Sequence, residues 1–146
     1  MNFSIAVCRI DDFVTYSDRF GQNAVERALR KLADTLTRTV RPSDFLCRLG
    51  NEDFLIILPL ASSAIALRVV ERIRETIILS QATKPDPAFS CSFGVANSAN
   101  TASAEEVMAL AAQALGIAQS EGRNRVKLST TAFTPLVTRN RGGDSY

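Results

Sequence analysis

Two short strand-like runs, Phe45 to Leu49 and Phe54 to Leu58, stand with only Gly50-Asn51-Glu52-Asp53 between them. Parallel neighbours need a crossover of about a dozen residues or more, so these two runs must fold back on each other as an antiparallel hairpin. The second run, FLIIL, is apolar throughout and is closed by Pro59, which cannot donate to a strand ladder. Every other strand has to be fitted around this hairpin.

Phe3 to Ile10 (FSIAVCRI) reads as a strand, and the mixed stretch Asp11 to Phe20 as one short helix broken by Gly21-Gln22. Asn23 to Val40 reads as an amphipathic helix, because Val25, Leu29, Leu32, Leu36 and Val40 recur at steps of three or four. Asn23 with Glu26 predicts its capped start, and Pro42 stops it by disfavouring helical geometry at Arg41. A further helix covers Ser63 to Ile78, with Ala66, Val69, Val70, Ile73 and Ile77 on one stripe. Gln81 to Pro87 reads as a loop. Phe89, Cys91, Phe93 and Val95 alternate with Ser90, Ser92 and Gly94, the pattern of a half-buried strand. Ser103 with Glu106 forms a capping box for a helix running to Glu121, with Gly122 at its C-terminal cap. Asn124 to Leu128 reads as a last strand. The order β-α-α-β-β-α-β-α-β predicts an α/β (α+β), ferredoxin-like domain: a central, mostly antiparallel sheet flanked by helices, mainly on one face.

The 146 residues suit one domain, and a net charge of +2 gives no field that calls for nucleic acid or a membrane surface. Phe54 to Leu58, a wholly apolar run, is too short to span a bilayer. There is no histidine, which removes imidazole acid–base chemistry and the commonest transition-metal ligand. Cys8, Cys47 and Cys91 are odd in number and lack a CxxC spacing, so they read as free thiols in a reducing, cytoplasmic setting.

Several short motifs then fall in one order. Arg41-Pro-Ser-Asp44 lies five residues before Gly50-Asn-Glu-Asp-Phe54. The first strand ends Arg9-Ile-Asp11-Asp-Phe13, and Ser17-Asp18-Arg-Phe20-Gly21 follows. Ser92-Phe-Gly94-Val, Ala114-Leu115 with Ala118, and Gly122-Arg-Asn124-Arg-Val126 close the series. This series resembles the GGDEF domains of the diguanylate cyclase family, a nucleotidyl-cyclase-like fold, over about residues 3 to 128. The resemblance divides the chain into a degenerate GGDEF domain, 1–128, and a C-terminal tail or linker, 129–146, partly disordered around Arg139 to Ser145. The family's opening segment has no counterpart, so the chain reads as a piece of a longer protein.

The resemblance implies a chemistry. Active members join two GTP into cyclic di-GMP, with Mg²⁺ held by a carboxylate ending the first strand and by an acid of the turn. An Asn and an Asp hold guanine, and a Lys of the last helix holds phosphate. Here the strand-end carboxylate is Arg9, the guanine-binding Asn is Ser17, the Asp is Glu26 and the Lys is Gln119. The turn's second glycine is Asn51, and Glu52 and Asp53 invert the usual acid order. No catalytic residue is therefore expected, with Arg9, Glu52, Asp53 and Gln119 as the degenerate positions. No cofactor is expected, and Mg²⁺ only if Glu52 holds it. If GTP is held at all, Ser17, Glu26, Gly50 and Asn51 hold it. The family's inhibitory site is retained: Arg41, Asp44 and, by position, Arg72 are implied to bind cyclic di-GMP.

Each of these residues also has a plain reading. Arg41 and Asp44 suit a polar helix end, Glu52 and Asp53 a hairpin turn with Arg9 ion-paired to Glu52, and Asp11 and Asp12 a helix N-terminus. Four functions follow as expectations. The chain is an inactive GGDEF domain that binds cyclic di-GMP and regulates a neighbouring sensor or phosphodiesterase domain or a protein partner; an active diguanylate cyclase with an altered metal site; a GTP-binding domain without turnover; or a structural homodimerisation domain.

Overall fold

The computed structural model describes residues 2–82, 86–101 and 103–130; the tail expectation beyond residue 130 lies outside them. In chain order the elements are β1 (Phe3–Ile10), α1 (Phe13–Phe20), α2 (Gln22–Thr39), β2 (Phe45–Leu49), β3 (Asp53–Pro59), α3 (Ser63–Leu79), β4 (Cys91–Asn97), α4 (Ala104–Ser120) and β5 (Val126–Leu128), with one 3₁₀ turn at Ser98–Asn100. The hairpin forms as the short gap demands. Phe45 pairs with Ile57 and Leu49 with Asp53, and Gly50 takes φ +61° in the turn. The sheet order is β2-β3-β1-β4-β5. Every pairing is antiparallel except β4 with β5. This is the mostly antiparallel α+β sheet expected.

Strand alternation splits the core in two. On one face Ala6, Cys8, Ile10, Phe54, Ile56 and Leu58 meet α1, α2 and α3 through Tyr16, Leu32, Leu36, Val70, Ile73 and Ile77. On the other, Ile5, Val7, Leu55 and Ala96 meet Val107, Leu110, Ala111 and Leu115 of α4. The expectation of helices mainly on one face holds for three of them, and α4 covers part of the second. The same helix corrects the half-buried reading of β4, in which every residue is buried. Gly94 permits this. A Cβ there would lie 2.0 Å from the Ala111 carbonyl oxygen and 2.3 Å from the Leu115 nitrogen, so α4 rests directly on the β4 backbone.

Several expected bounds moved, α1 starting at Phe13 rather than Asp11 and β5 at Val126 rather than Asn124, whose φ is +49°; two others moved for local reasons. Phe89 does not enter β4, because the Gln81 side chain takes both its backbone groups: Phe89 N–H donates to Oε1 at 2.9 Å and Gln81 Nε2 donates to the Phe89 carbonyl at 2.8 Å. Asn23 does not cap α2. Gly21, at φ +89°, holds the cap position with its carbonyl accepting from Val25 N–H at 3.2 Å, a conformation open to glycine. Ser103 caps α4 as expected, accepting from Glu106 N–H. At the far end Gly122 has φ +131° and Arg123 N–H reaches back to the Ala118 carbonyl at 3.0 Å, a Schellman closure.

Candidate functional site

Arg9 ends β1 one residue before its last position and stands directly opposite Asp53 in the β1–β3 register. Its fork binds that carboxylate with both arms: Nε donates to Oδ1 at 2.6 Å and Nη2 to Oδ2 at 2.9 Å. Glu52, the partner expected from sequence, is the more distant one, with Oε1 3.6 Å from Nε. The reason is register, since Asp53 is a paired strand residue and Glu52 lies in the turn. The hydrogen bond to Asp53 raises the Arg9 pKa, opposed by burial and helped by both carboxylates. These residues do not fit Mg²⁺. A divalent ion needs several oxygen ligands free of competing cations, and here a guanidinium occupies one carboxylate and borders the other. Among the described residues no group of three or more His, Cys, Asp or Glu is placed to hold a metal ion.

A cleft of about 800 Å³ opens between α2 and the hairpin turn, bounded by Phe13, Glu26, Arg30, Arg48, Asn51 and Glu52. Arg48 fixes the turn, donating from Nη2 to the Asn51 carbonyl at 2.8 Å while its guanidinium lies 4.9 Å over the Phe54 ring. A hollow of about 320 Å³ shares Phe13 and is bounded by Arg9, Asp12, Gln119 and Arg123. The structure therefore gathers Glu26, Asn51 and Glu52 in one cleft and Arg9 with Gln119 in the next. Gly50 stands beside them in the turn. Ser17 bounds neither cavity; it is half-buried on α1, where its carbonyl accepts from Gly21 N–H. Sequence reading missed Arg30, Arg48 and Arg123. Arg123 reaches the hollow from a left-handed turn at φ +66° and pairs with Asp12 at 2.9 Å, a contact across the whole chain that no local pattern announces.

Asp11 is not simply a helix N-terminal acid. It is buried and accepts from Ser90 Oγ and Ser92 Oγ, each at 2.6 Å, and from Asn124 N–H at 2.9 Å. One carboxylate thus ties the end of β1 to β4 and to the loop before β5.

Arg41 and Asp44 form a closed pair. The Asp44 carboxylate takes Arg41 N–H at 2.8 Å, Nε at 2.9 Å and Nη2 at 2.8 Å. Arg41 Nη2 also donates to the Pro59 carbonyl at 3.0 Å, which fastens the pair to the end of β3. The Asp44 side chain is 0% exposed and that of Arg41 31%. A base could reach the Asp44 carboxylate only after Arg41 turned away, whereas the outer edge of Arg41 already faces water. Arg72 is exposed on α3. Among the described residues its side chain makes no hydrogen bond or ion pair.

Comparison with known proteins gives one answer. Residues 1–125 match the family described as "Diguanylate cyclase, GGDEF domain". Diguanylate cyclase DosC of Escherichia coli K12 is 37% identical over 128 residues, which is 86% of this chain and 28% of DosC. The chain thus spans under a third of that relative. The GGDEF domain of DgcB from Caulobacter crescentus, solved in complex with c-di-GMP, superposes with a TM-score of 0.80 at 28% identity, over 89% of this chain and 79% of that one. The active GGEEF domain of a diguanylate cyclase from Vibrio cholerae shares the fold at a TM-score of 0.81 and 23% identity, over 90% and 85%.

Proposed function

The chain belongs to the diguanylate cyclase GGDEF domain family, and we propose that it serves cyclic di-GMP signalling by recognition rather than by synthesis. The observation that carries this reading is the two-armed Arg9–Asp53 pair. In-line attack on an α-phosphate requires cations on the phosphates. At this site an arginine that cannot be deprotonated stands where the strand-end carboxylate would be, forks Asp53 and lies 3.6 Å from Glu52, the one acid left for a cation. Gln119, in the neighbouring hollow, offers an amide where the resemblance calls for a lysine.

Recognition rests on Arg41, Asp44 and Arg72. Cyclic di-GMP is a dianionic purine dinucleotide, and arginine forks suit both its phosphates and the O6 and N7 edge of guanine. In this chain Asp44 holds Arg41 in place, and Arg41 presents its outer donors. Direct acceptance of guanine N1 and N2 donors by Asp44 requires Arg41 to release it. The bound domain then biases a neighbouring sensor or phosphodiesterase domain, a protein partner, or a second copy of itself. No described helix is long and apolar enough to cross a membrane.

A second reading, GTP held without turnover, is favoured by the open cleft beside Glu26 and Asn51. Calorimetric titration separates the two. Cyclic di-GMP should bind the unmodified chain, and Arg41→Ala or Arg72→Ala should weaken it by about 1–3 kcal/mol, roughly five- to a hundredfold. No heat with cyclic di-GMP at about 100 µM, or affinity unchanged by Arg41→Ala, defeats the recognition reading. Heat with GTP alone supports the second.

A further inference from the structure

The Arg41–Asp44 turn is closed from both sides. Asp44 N–H donates to the Arg41 carbonyl at 2.9 Å, and the Asp44 carboxylate takes Arg41 N–H in return at 2.8 Å. That carboxylate is 0% exposed and carries three donors of Arg41, all within 2.9 Å. Admitting a guanine would exchange these three bonds for two, from N1 and N2 of a neutral base, a weaker partner than a guanidinium. The Arg41 backbone N–H, fixed in the turn, would lose its acceptor. The exchange runs uphill, so the carboxylate stays with Arg41 when a ligand arrives.

The donors left on Arg41 decide what it holds. Arginine has five N–H donors. Nε and one Nη2 hydrogen go to Asp44, and the other Nη2 hydrogen goes to the Pro59 carbonyl at 3.0 Å. The hydrogens of Nη1 remain. A two-point grip on guanine O6 and N7 needs parallel N–H groups, whereas the hydrogens of one nitrogen diverge. Clamped Arg41 therefore serves single acceptors, and a phosphate oxygen suits its charge. Arg72 is exposed on α3 with all its donors open among the described residues, but an arginine accepts nothing. Asp44 is the one side-chain acceptor of the three, and it is taken.

Resting on the recognition reading above, we propose that the Arg41–Asp44 pair grips a phosphate of the cyclic dinucleotide and that the guanine 2-amino group goes unread. The ligand class is then cyclic dinucleotides of 6-oxopurines, with or without that group. Asp44 acts only by holding Arg41 in place.

The test is calorimetric titration of the whole chain with cyclic di-GMP and with cyclic di-IMP. The inosine ligand keeps the phosphates, O6, N7 and the N1 proton, and lacks only the 2-amino groups. The two should bind within about threefold of each other, since no hydrogen bond to a charged group is lost. Arg41→Gln should weaken both by one common factor and flatten the fall of affinity with salt, which loss of a merely structural contact would not do. Added to Arg41→Gln, Asp44→Asn should cost no further affinity for either ligand. A preference for cyclic di-GMP of about tenfold or more, the worth of one hydrogen bond to a carboxylate, overturns the inference and leaves the recognition reading standing. A salt dependence unchanged by Arg41→Gln overturns it as well. No binding of either ligand near about 100 µM ends both.

Discussion

Replacing Asp44 by alanine removes one carboxylate and strands three donors of Arg41: its backbone N–H, Nε and one Nη2 hydrogen. Breaking a fully buried ion pair from one side costs about 3–5 kcal/mol. The Arg41 side chain is 31% exposed and keeps its bond to the Pro59 carbonyl, so its guanidinium can recover part of that in water. The orphaned backbone N–H adds about 1 kcal/mol. The net loss is about 2–3 kcal/mol, which for a domain of this size lowers Tm by roughly 6–10 °C. Asp44→Asn keeps the shape and one acceptor oxygen and should lose about half as much. Urea denaturation of Asp44→Ala, Arg41→Ala and the double variant gives the coupling directly, expected at about 1.5–2.5 kcal/mol. Arg38→Ala, exposed on the last turn of α2, serves as the charge control and should change stability by less than about 0.5 kcal/mol. A coupling near zero would refute the clamp, and with it the reason Arg41 is held ready for a ligand.

Gly94→Ala should destabilise by at least about 2 kcal/mol, read as a lowered urea midpoint, because its Cβ would sit 2.0 Å from the backbone oxygen of Ala111 and α4 would have to lift. A thiol reagent should modify Cys47 quickly in the native chain and all three cysteines in denaturant, since Cys8 and Cys91 are buried and burial pushes the Cys91 thiol well above its ordinary pKa. Millimolar Mg²⁺ should leave Tm unchanged, whereas a rise abolished by Glu52→Gln would show a metal site that Arg9 fails to block.

The local parts of this fold were open to reading. Phe3–Ile10 and Phe45–Leu49 carry their bounds in the sequence because strand residues meet Asp, Gly or Pro-rich breaks within a residue or two. The start of β4 was misplaced because Phe89 fits the alternation, yet its backbone is claimed by a side chain, Gln81, that no periodicity reports. The candidate site was legible where spacing alone defines it, as in the closed Arg41–Asp44 pair. It was not legible where register does. Arg9 pairs with Glu52 as expected but binds Asp53 more closely, because β1 pairs with β3, two strands separated by two helices and the hairpin arm β2. Asp11 was read as a helix terminus for the same reason, since its third donor, Asn124, lies 113 positions away.

Synthesis itself is the sharpest point. The chain at high concentration, incubated with GTP and Mg²⁺ or Mn²⁺ and followed by chromatography, should form no cyclic di-GMP, and Arg9→Asp alone should not restore it while Gln119 and Ser17 remain. Product from the unmodified chain at about one turnover per second or faster, the ordinary range for enzymes, would contradict the account.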